Sequence, residues 1–305
     1  MFYTYFIGCL EKRAVLCYNK GNFGGFLMFL IKEKKVLNEN TVKMTVLAPQ
    51  VARRALPGQF IIFRTHEGGE RIPLTIAAYD REAGEVTVIF QTVGASTAIL
   101  GNMEAGEYIL DFVGPLGQPS EFENESRVAV IGGGLGCAIA WPQAKYLHAQ
   151  GVAVDMICGF RNKDAVIIED EMRACCDRLV MMTDDGSYGE KGLVTEGLRR
   201  LIEGGTQYSR VIAIGPPVMM KFVAALTKEY GIPTTVSMNP IMIDGTGMCG
   251  GCRVRVGGEY KFACVDGPDF DGHAVDFDEL IRRNRAYAEQ EKHAREATCK
   301  LMKNE

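Results

Sequence analysis

The 305-residue sequence has no apolar run approaching the roughly 20 residues that a membrane-crossing helix needs; its best candidate, Phe23 to Ile31, is far shorter. An excess of basic charge is also missing. The 34 Lys and Arg are outnumbered by 38 Asp and Glu, for a formal charge of −4, so the chain lacks the electrostatic footprint of a nucleic-acid binder. Internal repeats are absent, and 47% apolar with 24% charged residues excludes a disordered or fibrous composition. Histidine and tryptophan are scarce. His66, His148, His273 and His293 are scattered and read as surface or loop residues, and Trp141 reads as packing. These absences predict a water-soluble, cytoplasmic protein with no membrane or nucleic-acid partner, its length giving about two domains and a small third module.

Glycine and cysteine are plentiful. Many of the 35 glycines fall in short clusters, where backbone must come close to something. The ten cysteines are unevenly placed: Cys175 and Cys176 adjoin, and Cys249, Cys252 and Cys264 form a tight group. That pattern suits a reducing compartment with one thiolate-ligated site better than a secreted disulfide framework.

Residues 1–27 have neither helical nor strand period, nor the basic start and cleavage site of a signal peptide. Met28 is the expected natural start, with a disordered arm as the other reading. Residues 28–124 show short β-rich stretches, among them Thr41 to Leu47, Gly58 to Arg64, Glu85 to Gln91 and Glu107 to Val113, and one helix-like stretch, Ser96 to Gly101. This spacing predicts an antiparallel barrel or sandwich. Over residues 125–235 the buried strand Val128 to Ile131 is followed by strands alternating with helices, the latter near Ile167 to Cys176, Leu193 to Glu203 and Val218 to Tyr230. Such alternation predicts an open parallel α/β sheet. Residues 236–275 form a Gly/Cys-rich module with a hairpin at Gly257-Gly258, and residues 276–305 a charged helix.

The sharpest motif is Asp244-Gly-Thr-Gly-Met-Cys249-Gly-Gly-Cys252 followed by Cys264. With cysteine at 244 it would be the C-x₄-C-x₂-C…C spacing of plant-type [2Fe–2S] proteins. Its glycines permit a tight loop whose N–H groups can face cluster sulfurs, and Asp244 would add a carboxylate ligand. A Cys₃Asp zinc knuckle and three unliganded core cysteines are the competing readings. Gly132-Gly133-Gly134-Leu135-Gly136 lies between a strand and a helix, suited to a pyrophosphate or to close packing alone. Asp184 and Asp185 fit a ribose 2′-hydroxyl and repel a 2′-phosphate, or simply cap a turn. Gly215-Pro216 ends another strand. In the first domain Arg71 suits a phosphate, Thr75 a flavin edge, and Ser96 and Thr97 a helix cap over a pyrophosphate; each alone is more ordinary.

Together, R-x-P-L-T at Arg71 to Thr75, the glycine turn and the cysteine loop resemble the ferredoxin–NADP reductase superfamily. Within it the order resembles the electron-transfer subunits of dihydroorotate dehydrogenase and their relatives in NADH-dependent reduced ferredoxin:NADP⁺ oxidoreductase and sulfide dehydrogenase. Gly114-Pro-Leu-Gly117, Asp184-Asp-Gly-Ser-Tyr-Gly189 and Cys264-Val-Asp-Gly-Pro268 support the likeness, which runs from Met28 to about Asp278. It implies a β-barrel FAD-binding domain, an α/β parallel-sheet nucleotide-binding domain, a small C-terminal [2Fe–2S] module and a terminal helix. It also implies FAD held by Arg71, Pro73, Leu74 and Thr75 with Phe90, Gln91, Gly94, Ser96 and Thr97. NAD would lie at Gly133, Gly134 and Gly136, with Asp184 at its ribose; Asp185, Gly215 and Pro216 are further candidates for cofactor binding. Asp244, Cys249, Cys252 and Cys264 would ligate the cluster. Aspartate at 244 departs from the dihydroorotate-linked pattern and matches the bifurcating branch. That branch implies a heterodimer with a larger iron–sulfur flavoprotein subunit, through which ferredoxin and NADP(H) are reached, and cofactor-borne catalysis with no side-chain acid or base. A zinc-stabilised, non-catalytic nucleotide-fold adaptor is the rival class.

Overall fold

A computed structural model describes the backbone of residues 28–302; the expected extension, residues 1–27, lies outside the described residues. The first domain is a seven-stranded antiparallel sheet. In chain order its elements are β1 (Phe29–Asn38), β2 (Thr41–Leu47), α1 (Pro49–Arg54), β3 (Phe60–Arg64), β4 (Ile72–Asp80), β5 (Glu85–Gln91), α2 (Ala95–Asn102), β6 (Tyr108–Ile109) and β7 (Asp111–Leu116). The strands are ordered β6-β1-β2-β5-β4-β3-β7 and curl into a nearly closed barrel. Its core holds Ile31, Met44, Ile61, Phe63, Ile76, Phe90 and Ile109. The helix α1 was not expected; proline at its first position fits a helix start, and Val51 and Ala52 bury its inner face.

The second domain follows with β8 (Arg127–Gly133), α3 (Gly136–Ala149), β9 (Ala153–Phe160), α4 (Glu169–Arg173), β10 (Arg178–Thr183), β11 (Glu190–Lys191), α5 (Val194–Glu203), β12 (Arg210–Ile214), α6 (Pro217–Glu229) and β13 (Thr234–Ser237). After Arg127, β8 is apolar because both faces are covered: Val128 and Val130 enter one core cluster, Ala129 and Ile131 the other. The expected helix from Ile167 to Cys176 is only the five-residue α4, since Ile168 before it takes a left-handed φ of 45°.

The C-terminal module contributes the hairpin β14 (Arg253–Val256) and β15 (Glu259–Phe262), turning at Gly257-Gly258 as expected. Its last strand, β16 (Asp269–Asp271), pairs antiparallel with β13 and completes a sheet of order β11-β10-β9-β8-β12-β13-β16. The module is therefore stitched into the parallel sheet. The single terminal helix of the sequence reading is two, α7 (Phe277–Asn284) and α8 (Ala288–Met302). Asp276 caps α7 by accepting from the Glu279 N–H, and Phe277 and Leu280 anchor it. Among the described residues no helix is long and apolar enough to cross a membrane.

Candidate cofactor sites

The chain lays down β8, β9 and β10 outward in one direction, then returns to place β12 on the other side of β8. Strand order thus reverses between β8 and β12, and ligands of open α/β sheets bind outside the carboxyl ends at such a point. The glycine turn leaves β8 there, and Gly215-Pro216 leaves β12. A Cβ on Gly136 would stand 2.2 Å from the Ile214 carbonyl oxygen, so only glycine lets α3 approach β12. Gly134, with φ of +56°, has nothing within 4 Å of its Cβ position and faces open space. Bare backbone at a helix start, with room beside it, could hold a diphosphate.

That space belongs to a cleft of about 1180 Å³ between barrel and sheet. Ordinary small-molecule pockets take about 300–1,000 Å³, so this one has room for an extended ligand. Pro73, Leu74, Thr75 and Gln91 line it from the barrel, and Gly133, Gly134, Gly136, Asp184, Gly215 and Pro216 from the sheet. Gly159-Phe160-Arg161, singled out as a strand end in the sequence, lines it too, as does Met238-Asn239-Pro240 after β13. The latter segment was missed; its signal was a proline-marked strand end, legible only once β13 was placed.

Other candidates fall elsewhere. The Phe90 side chain is 1% exposed and belongs to the barrel core. Asp185 turns onto its own loop, where its Oδ1 accepts from the Ser187 hydroxyl and N–H; those bonds hold its carboxyl below the usual range. At the start of α2 the Thr97 hydroxyl accepts from the Gly94 N–H, and Ser96 donates to Glu70 at 2.6 Å. Arg71 reaches the cysteine loop, donating from Nε to the Ile243 carbonyl at 3.1 Å and from Nη2 to that of Asp244 at 3.3 Å.

The loop itself brings Cys252 and Cys264 together, both buried, with sulfurs 3.2 Å apart. Burial pushes the Cys264 thiol up to about 12. Cys249 is exposed and takes the Gly251 N–H at 3.4 Å; that N–H, with those of Asp244 and Ile243, lowers its pKa. The Asp244 carboxylate accepts from the Thr246 hydroxyl and N–H and from the Met248 N–H, which hold it ionised. Gly245 and Gly247 take φ of +84° and +86°, the backbone that folds this loop. Among the described residues no three His, Cys, Asp or Glu side chains converge closely enough to hold a metal ion. A thiol pair, a third sulfur already facing N–H donors and a nearby carboxylate nonetheless form a donor set that fits an iron–sulfur centre. The adjacent Cys175 and Cys176 do not join it. Burial raises them to about 12 and about 11, leaving inert thiols.

Residues 239–276 match the iron-sulfur cluster binding domain of dihydroorotate dehydrogenase B. A Thermotoga maritima homologue of the dihydroorotate dehydrogenase B (NAD⁺) electron transfer subunit is 45% identical over 269 residues, covering 88% of this chain and 95% of its own. The chain belongs to this family of electron-transfer subunits. A Clostridium beijerinckii protein of unassigned role is 53% identical over 272 residues, covering 87% of this chain and 92% of its own. A chain from the structure of NADH-dependent reduced ferredoxin-NADP oxidoreductase, described for flavin-based electron bifurcation, superposes with a TM-score of 0.84 at 44% identity, covering 90% of this chain and 99% of that one.

As a member of the electron-transfer-subunit family the protein is an oxidoreductase component with a ferredoxin-reductase-like fold: an FAD-binding barrel, a parallel-sheet domain and a C-terminal iron–sulfur-binding domain. Membership supports an iron–sulfur cluster together with FAD and NAD as the cofactors of such a fold.

Proposed function

We propose that this chain is the small subunit of an electron-bifurcating NADH-dependent ferredoxin:NADP⁺ oxidoreductase in the cytoplasm. It exchanges hydride between NAD(H) and FAD and relays single electrons through a [2Fe–2S] centre to a larger iron–sulfur flavoprotein subunit, where ferredoxin and NADP(H) are reached. When bound, FAD supplies the exchange between two-electron and one-electron chemistry, and the cluster supplies one-electron transfer.

The chain's own part is positioning. Pro73, Leu74, Thr75 and Gln91 would hold the flavin against the barrel, with Arg71 and the α2 start, Gly94, Ser96 and Thr97, as donors for its phosphates. Gly133, Gly134, Gly136, Gly215 and Pro216 would let the NAD diphosphate meet bare backbone, and Asp184 would accept from its ribose. Cys249, Cys252 and Cys264, with Asp244, would hold the cluster. One observation carries the reading: the two sites share a strand pair. Pro73 lines the cleft and pairs with Ile62 of β3, and a Cβ on Gly245 of the cysteine loop would stand 2.5 Å from Ile62 Cδ1. Adjacent sites of this kind suit an internal relay.

Aspartate at 244 favours the bifurcating enzyme over the dihydroorotate-linked subunits; these and a sulfide-linked subunit share the relay and differ in partner. Anaerobic purification of the native complex tests this. Flavin, iron and acid-labile sulfide in [2Fe–2S] proportion, with a larger iron–sulfur flavoprotein co-purifying, is the expected result. A type-B dihydroorotate dehydrogenase as partner establishes the other branch, and a colourless, zinc-containing sample defeats both.

A further inference from the structure

Glu70 and Arg71 are consecutive, yet their side chains leave the chain toward different sites. Glu70 meets Ser96 at the start of α2, whereas Arg71 grips two successive carbonyls of the cysteine loop, Ile243 and Asp244. The second carbonyl belongs to the residue placed among the cluster ligands. A guanidinium has five N–H donors in a rigid planar fork. Nε and Nη2 are engaged on the loop, and the Nη1 edge is left for an anion.

The backbone behind Arg71 is stiff. Ile72 and Pro73 enter β4 directly, paired with Phe63 and Ile62 of β3, and proline fixes φ near −65°. Two residues further on, Thr75 lines the cleft. The loop is pressed on the same strand pair, since Gly245 leaves no space for a Cβ beside Ile62 and Leu116. Any shift of the Arg71 side chain toward a ligand at the barrel therefore pulls on the loop carbonyls at its Asp244 end, while Arg283 of α7 holds the other end through the Gly251 carbonyl at 3.1 Å. The Asp244 carboxylate bonds are internal to the loop, and Met248 beside Cys249 is 86% exposed.

Resting on the function proposed above, we infer that Arg71 is a positioning residue coupling the two cofactor sites: it fixes the cluster loop through the Ile243 and Asp244 carbonyls and makes that grip depend on whether flavin fills the cleft. Flavin binding then tightens the loop, and the cluster's surroundings differ between the flavin-loaded and flavin-stripped protein.

The test uses the native complex with flavin bound and after its removal by high salt, in wild type, Arg71→Ala and Arg71→Lys. Two readouts are independent of turnover: the electron paramagnetic resonance spectrum of the dithionite-reduced cluster, and the rate at which a ferrous chelator strips its iron. In wild type, flavin removal should change the g values and speed iron loss several-fold. In Arg71→Ala the spectrum and the rate should be the same with and without flavin. Lysine keeps the charge without the fork, so Arg71→Lys should retain flavin yet show a reduced flavin dependence. The coupling is overturned if the wild-type cluster is indifferent to flavin, or if Arg71→Ala keeps the full flavin dependence. Arg64→Ala, which removes the neighbouring Arg64–Asp111 ion pair on the same barrel edge, should leave the flavin dependence at the wild-type level; its loss there also overturns the assignment. Absence of any cluster signal from wild type would instead sink the proposed function.

Discussion

Gln143 on α3 donates from Nε2 to Asp269 Oδ2 at 3.1 Å, joining the sheet domain to the C-terminal module. Ser120, just beyond the barrel, donates to the same oxygen at 2.6 Å and accepts from Gln143 at 2.8 Å. Three parts of the molecule thus meet on one carboxyl group. Asp269 is half-buried as a residue, but its Oδ1 is closed to solvent without a partner, as is Gln143 Oε1.

Burial raises the Asp269 pKa above the usual carboxylate value, outweighing the donors Ser120, Ser237 and Gln143. The folded state therefore binds this proton more tightly than the unfolded chain. Its stabilising contribution is complete below the unfolded value of about 3.9 and is lost as pH rises through the raised native value. Asp269→Asn keeps the shape and removes the titration. Urea midpoints measured across that window should fall with pH in wild type relative to the variant. Parallel curves would refute the assignment.

Asp155 is fully buried, 2.9 Å from Arg127 Nη1 and 2.7 Å from the Tyr208 hydroxyl. Asp155→Ala strands the buried Tyr208 hydroxyl and releases Arg127 and Arg178, whose side chains reach solvent, and should cost about 1–3 kcal/mol in denaturant unfolding, the scale for a buried polar group left unpaired. Glu203→Ala, which removes the exposed Arg199–Glu203 pair and the exposed bond from the Tyr230 hydroxyl, should cost less than about 1 kcal/mol. Equal losses would mean that burial is not what matters.

Gly136→Ala and Gly134→Ala separate packing from conformation. The first forces a methyl onto the Ile214 carbonyl and should cost about 1–3 kcal/mol or more while weakening NADH binding. The second meets no atom within 4 Å and bears only the left-handed strain of roughly 1–2 kcal/mol. Calorimetric NADH titrations with matched unfolding curves read both. Undiminished NADH affinity in Gly136→Ala would remove the turn from the nucleotide site.

Asp184 lines the cleft and Asp185 does not. Asp184→Ala should weaken NADH by about tenfold, near the lower end of a charge-assisted hydrogen bond of roughly 1.5–3 kcal/mol, and narrow the preference over NADPH. Asp185→Ala loses the cap on Ser187 and should leave that preference intact. Steady-state KM ratios for the two dinucleotides decide, and a preference that moves with Asp185 alone reverses the assignment.

Much of this architecture was legible beforehand because its signals are local. Val128 to Ile131 reads as a strand buried on both faces, and the Gly257-Gly258 turn announces its hairpin. The boundaries that slipped were those set by non-local contacts. The short α4 follows a left-handed Ile168, and the terminal helix divides where the anchoring by Phe277 and Leu280 ends. In the site, Asp184 and Asp185 were indistinguishable in sequence. Only the loop's fold turns one onto Ser187 and leaves the other facing the cleft.

Residue order alone carries the chemistry on offer: three cysteines and an aspartate in a glycine-rich loop, bare backbone at a strand–helix turn, and an arginine ahead of a cleft-lining strand. Residue type and spacing suffice for that, because ligand identity and backbone freedom are properties of the residues themselves. Tertiary structure decided which of these groups meet. Arg71 reaching Asp244, or Ser120 and Gln143 converging on Asp269, joins positions more than a hundred residues apart. Such pairings depend on how strands are ordered and packed, and no local pattern carries that information.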